Sequence, residues 1–191
     1  IYLKDRVDVY NNYFSSEQAR NNYLHPRKDF VNENLFAGET QDYRFQTWWQ
    51  VASGVGETGH MFIKYKGIDQ LDATSGAEYF YAVFLPLIRL SEVYYIAAEC
   101  EPELADKYEW LNQVRARRGL NALPVVSEVN FMMRLRVEYL REFMGEGQIF
   151  FMYKRMYMSI SRNENGYDTS TYGAREDRYV LPMPADEVAN R

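Results

Sequence analysis

The chain has 191 residues, enough for one domain or one and a fraction. Its 27 acidic and 22 basic residues leave a net charge of −5, which argues against a generic nucleic-acid binder, since that needs a basic face to displace counterions. Seventeen Tyr, 11 Phe and 3 Trp bring the aromatic share to 16%, which argues against disorder.

One cysteine excludes an internal disulfide framework and leaves the redox compartment open. No stretch approaches 18 apolar residues without charge, so no transmembrane helix is expected. The chain begins at Ile1 without a basic-then-apolar leader, so either a leader was removed or this is a piece of a longer protein.

In chain order, Ser15 stands three residues before Gln18, a capping-box spacing that predicts a short helix to about Leu24. His25 to Asp42 reads as loop, with Pro26 and Gly38 among polar residues. Tyr43 to Val51 alternates. Tyr43, Phe45, Thr47, Trp49 and Val51 share one face, and Arg44, Gln46, Trp48 and Gln50 share the other. Period two predicts a half-buried strand. Ser53 to Gly59 is turn-like and His60 to Lys66 reads as a second strand, so a hairpin is expected.

From Tyr79 the pattern becomes helical. Pro86 suits a first turn, and Leu87 to Cys100 is apolar on most sides, which predicts a buried helix. Glu101-Pro102 breaks it. Leu104, Tyr108, Leu111 and Val114 form the stripe of a second helix, closed by Arg115, Arg117, Arg118 and Gly119. Two helices so closely joined predict an antiparallel hairpin. A third helix is capped by Ser127, with Met133, Val137, Leu140 and Met144 as its main stripe. Gly145 and Gly147 interrupt it. Phe150 to Ile160 reads as a buried fourth helix, Ser161 to Arg178 as loop, and Tyr179 to Pro184 as extended chain.

Most candidate chemistry has a plainer reading. Gly54-Val55-Gly56-Glu57-Thr58-Gly59 matches G-x-G-x-x-G, but a strand-like segment follows it and Glu57 brings negative charge, so it reads as a turn. His25 and His60 lack neighbours at ligand spacing, so no metal site is expected and both read as surface or loop residues. Cys100 reads as a small buried thiol. Glu138 and Glu142 are one helical turn apart. Such a pair suits glycoside hydrolysis, yet Arg134 and Arg141 are at ion-pair spacing from Glu138, which favours an ion ladder. Trp48 is the more informative residue. On a strand it falls among Arg44, Gln46 and Gln50, where an indole is either covered or offers a stacking platform for a sugar ring or a flat or cationic ligand. Trp49 falls on the core face. Trp48, Arg44 and Gln46, with Tyr65 as a companion, are the candidate ligand-binding residues.

Four segments together resemble a known family. Leu87-Ile88-Arg89-Leu90-Ser91-Glu92-Val93-Tyr94-Tyr95-Ile96-Ala97-Ala98-Glu99 is similar to a hydrophobic-IRLAE-x-Y-LI-x-AE helix. Leu111-Asn112-Gln113-Val114-Arg115-Ala116-Arg117-Arg118-Gly119-Leu120 is similar to LN-x-VR-x-R-x-GL. Glu138, Glu142, Glu146-Gly147-Gln148, Phe151 and Arg155 follow the order E-x3-E…EGQ…F…R, and Tyr179 to Pro184 with Glu187-Val188 is similar to Y-LPIP-x-x-EI. In this order they resemble the C-terminal region of the SusD/RagB family, nutrient-binding lipoproteins of the Bacteroidetes cell surface. Ile149 and Met152 stand where many members carry Arg and Asp, which implies a more apolar local core.

The resemblance implies a mainly α, SusD-like fold of tetratricopeptide-like helical hairpins, with a small β-hairpin and long loops. It divides the chain into a ligand-side region of loops and β-hairpin, residues 1–80, and a helical region, residues 81–191. It implies a non-enzymatic binder of a glycan or oligosaccharide at the outer-membrane surface, with a SusC-like TonB-dependent transporter as partner. No cofactor and no nucleic acid are expected, and the membrane is reached only through a lipid anchor absent from this chain. A peptide ligand, or a helical interaction module without a small ligand, are the alternatives.

Overall fold

The computed structural model describes residues 30–54, 57–64, 87–161, 171–174, 179, 180 and 184. The expected helix after Ser15, His25 and Tyr65 lie outside these residues, as does most of Tyr179 to Pro184. The chain forms two compact units, Ile1–Glu142 and Phe143–Arg191, and the expected division at 80/81 falls inside the first. The described structure is mainly helical, with two small antiparallel sheets.

The first unit opens on a π-helical turn, Phe30–Leu35, which buries Val31 and Leu35 where loop was expected. Tyr43–Trp48 is a short helix, α1, and not the start of a strand. The physical reason is Asp42. Its side chain accepts the Arg44 backbone N–H at 2.9 Å, an N-cap that starts a helix in a segment whose polarity alternates. The strand phase read for this segment therefore fails. Tyr43 and Val51, assigned to the core, are 56% and 59% exposed, while Trp49 is buried against Phe62 with ring centroids 5.0 Å apart.

The hairpin itself is present. Strand β1, Trp49–Gly54, pairs with β2, Glu57–Phe62, from Trp49 opposite Phe62 to Gly54 opposite Glu57. The glycine-rich motif thus belongs to a hairpin end, with no helix N-terminus behind it to receive a phosphate. His60 is buried in β2 beside the Phe45 ring, not on the surface, and burial lowers its pKa.

Helix α2, Leu90–Cys100, and α3, Leu104–Ala116, form the expected antiparallel pair broken at Glu101-Pro102. Tyr108, Leu111 and Val114 of α3 are buried as the stripe predicts. Gly119 ends the hairpin at φ +76, a backbone conformation that favours glycine, and a Cβ there would lie 2.7 Å from the Tyr43 ring, which would have to shift. Helix α2 is not buried all round. Tyr95 and Ala98 are buried, but Leu90, Val93, Ile96 and Cys100 face solvent, as do Leu87 and Ile88 before it.

Helix α4, Glu128–Phe143, is capped as expected: the Asn130 N–H donates to Ser127 Oγ at 3.2 Å. Its buried stripe is not Met133, Val137, Leu140 and Met144. Phe131, Leu135, Glu138 and Glu142 hold the core, at i, i+4, i+7 and i+11. Met133 is 55% exposed. Tyr139 and Phe143 are buried beside the two carboxylates, so the last two turns bury aromatic rings and charges together.

In the second unit, positive-φ Gly145 and Gly147 precede α5, Gln148–Arg155. This helix is shorter and less buried than expected. Met152 and Tyr153 are buried, whereas Phe151 is 64% exposed, and Ile160–Ser161 leaves the helix to pair as β3 with β4, Thr171–Tyr172. The Tyr179 hydroxyl donates to the Met158 carbonyl. Met152, where the resemblance marks a departure, is fully buried.

Candidate functional site

Five guanidinium groups and four carboxylates meet inside the first unit. Arg44 is central. Its Nε and Nη2 donate to Asp42 at 3.0 and 2.7 Å, Nη2 also reaches Glu138 Oε2 at 2.7 Å, and Nη1 reaches Glu142 Oε2 at 3.1 Å. Glu138 Oε1 accepts from Arg115 at 2.6 Å and Arg141 at 3.1 Å, and its Oε2 also accepts from the Tyr95 hydroxyl at 3.4 Å. Glu142 accepts from Arg89 at 2.7 Å and from Arg118 through a fork at 2.9 and 2.5 Å. Glu39 closes the far side on Arg115 and Arg141. Arg141 also donates to the Leu35 and Phe36 carbonyls, tying α4 to the π-helical turn.

Each carboxylate oxygen of Glu138 and Glu142 holds two donors. Burial raises the pKa of Glu138, but the charges of Arg44, Arg141 and Arg115 outweigh it and hold the carboxyl at about 2. Burial acts the same way on Glu142, and Arg118, Arg44 and Arg89 hold it at about 2. Burial also lowers Arg44, yet Glu138 and Asp42 outweigh it and raise its pKa well above the ordinary value. A buried charge left without a partner is costly, so saturated pairing is the condition for this cluster to exist.

The ion-ladder reading of Glu138 and Arg141 is borne out, in deeper burial than a surface ladder. Arg134 is exposed, and the other partners of Glu138 come from distant segments. Arg89 comes from the first quoted motif, Arg115 and Arg118 from the second, Glu138 and Glu142 from the third. The motif residues therefore join α2, α3 and α4 in one network. Asp42, Glu39 and Arg44 complete it from the other end of the unit, and sequence reasoning missed that role. Asp42 carried a legible signal as an N-cap; the pairing of Arg44 with residues 94 and 98 positions away carried none.

The candidate ligand residues separate. Arg44 is 1% exposed and engaged by three carboxylates, so it does not lie on an open polar face. Gln46 is exposed and donates to the Thr40 carbonyl at 3.2 Å. Trp48 ends α1, half-buried, with Lys64 Nζ 4.1 Å from its ring centroid. The same Nζ donates to the Glu142 carbonyl at 3.1 Å. Tyr65 lies outside the described residues. Among the described residues no cluster of His, Cys, Asp and Glu is arranged to hold a metal ion, and no helix is long and apolar enough to cross a membrane.

Comparison with curated proteins and with solved structures returned no match. A family model described as the SusD family matches residues 6–190, nearly the whole chain. With the motif residues converging on one network and the helical hairpin in place, the chain belongs to the SusD family of nutrient-binding outer-membrane proteins.

Proposed function

We propose that the chain is a non-catalytic receptor that captures a glycan or oligosaccharide at the cell surface and passes it to a SusC-like TonB-dependent transporter. The observation that carries the non-catalytic part is the saturation of Glu138 and Glu142. A glycosidase acid must hold a proton near neutral pH and reach the substrate. These two carboxyls are buried, doubly engaged at each oxygen and held at about 2. Family membership supports capture and an association with outer-membrane transport.

For the capture site we keep Trp48, which is half-buried at the end of α1. Lys64 already covers part of the indole, so a sugar would approach the part that Lys64 leaves open. The test is intrinsic fluorescence of the protein titrated with polysaccharides, oligosaccharides and peptides, repeated with Trp48→Ala. Saturable binding of a saccharide, weakened about tenfold in the variant, is expected. Saturation by peptides alone selects the peptide-binding alternative. Transporter capture without any small ligand selects the interaction-module reading.

A further inference from the structure

Beside the saturated network lies a region of the opposite kind. An open cleft of about 860 Å³ runs between the first turns of α2 and the last turns of α3. Its size is within the range of small-ligand sites. Leu90 and Val114 give it an apolar wall. Five polar groups line it: Ser91, Tyr94, Gln113, Arg117 and Arg118.

These groups are left open among the described residues. Ser91 Oγ is buried and has no hydrogen-bond partner. The Tyr94 hydroxyl, the Gln113 amide and the Arg117 guanidinium make no hydrogen bond or ion pair there; Tyr94 only sets its ring edge-on to Trp110, centroids 5.5 Å apart. Arg118 is fixed by Glu142 through Nε and Nη2, which leaves Nη1 uncommitted on a side chain 26% exposed. One cation is thus held in place by the network and a second, Arg117, is exposed and free to close. Every one of the five groups can donate a hydrogen bond, and among the described residues no acidic side chain lines the cleft. The start of α2 lacks a side-chain cap and adds partial positive charge to the same end.

We propose that this cleft binds an oligosaccharide through a carboxylate on one of its sugars. The carboxylate pairs with Arg117 and the open Nη1 of Arg118, since guanidinium groups recognise carboxylates by paired N–H donors. Tyr94 and Gln113 serve the sugar hydroxyls, and Leu90 receives an apolar sugar face. The carboxylate follows from the cleft itself, whereas the choice of a saccharide rests on the nutrient-capture reading.

The test is a calorimetric titration of the full chain with trigalacturonate, the neutral maltotriose and triglutamate. It is repeated with Arg117→Glu, Arg117→Lys and Trp48→Ala. Arg117 is exposed, so its variants are expected to fold, and circular dichroism verifies this. Expected results are saturable trigalacturonate binding, weakened at least tenfold by Arg117→Glu, largely kept by Arg117→Lys and weakened by salt. Absence of trigalacturonate binding, or binding indifferent to Arg117→Glu, overturns the proposal. Binding of maltotriose, or of trigalacturonate with loss only in Trp48→Ala, overturns the cleft and leaves nutrient capture standing. Triglutamate bound as tightly, with the same dependence on Arg117, overturns the saccharide assignment.

Discussion

Helices α2 and α4 invert the usual relation between polarity and burial, in opposite senses. The solvent arc of α2 is apolar: Leu90 is 71% exposed, and Val93 and Ile96 are also open. The buried stripe of α4 ends in two carboxylates, while its Val129 and Met133 face solvent. Hydropathy alone misorients both helices. The inside of this unit is set by which charges find partners. Five guanidinium groups arriving from four segments make the core hospitable to Glu138 and Glu142, which share the buried side of α4 with Phe131, Leu135, Tyr139 and Phe143.

If charge pairing orients α4, removing the central cation must be the largest perturbation. Arg44→Ala leaves Asp42, Glu138 and Glu142 short of a donor inside the core. Breaking a buried pair from one side costs roughly 3–5 kcal/mol, so the variant is expected to lose about that much in urea unfolding, or fail to accumulate folded. A loss under about 1 kcal/mol would mean that packing alone holds α4, and the comparison with α2 would lose its basis.

Acid sharpens the same point without mutation. Glu138 and Glu142 titrate at about 2 in the folded chain against an ordinary value of 4.5. Carboxyls depressed by folding stabilise the native state above their unfolded pKa, and that stabilisation fades as pH falls toward the folded value. Each is worth on the order of 3 kcal/mol by linkage. The urea midpoint should therefore hold steady from neutral pH to about 4.5 and fall steeply between 4.5 and 2. Glu138→Gln should start lower and fall less over that window. Equal slopes for the two proteins would remove Glu138 from the account.

The sequence made much of this architecture legible, and the reasons are local. The α2–α3 hairpin follows from its stripe, its Pro102 break and the left-handed Gly119, all of which act within a few residues. The α4 cap follows from Ser127. Arg44 was misplaced because Tyr43 to Val51 alternates in polarity and so imitates a strand, while its true environment is built by residues far along the chain. In the sequence Cys100 and the outer arc of α2 read as buried because apolar character normally implies it. The polar-face reading of Trp48 rests on a strand phase that the Asp42 cap abolishes, so only its half-burial recommends it.

The outer arc of α2 gives the smallest effect and the finest test of the contrast. Val93 is 49% exposed in a helix whose packing contacts run through Tyr95 and Ala98. Substitution of an exposed helical residue by a good helix former usually changes stability within about 0.5 kcal/mol. Val93→Lys should do no more, and should reduce any tendency of the chain to associate, because it places a charge among the exposed apolar residues Leu90, Val93 and Ile96. Thermal unfolding and light scattering of the two proteins measure both. A loss above about 1 kcal/mol would show that this face is covered in solution. Helix α2 would then obey the ordinary rule for an all-round apolar helix, and α4 alone would remain the exception.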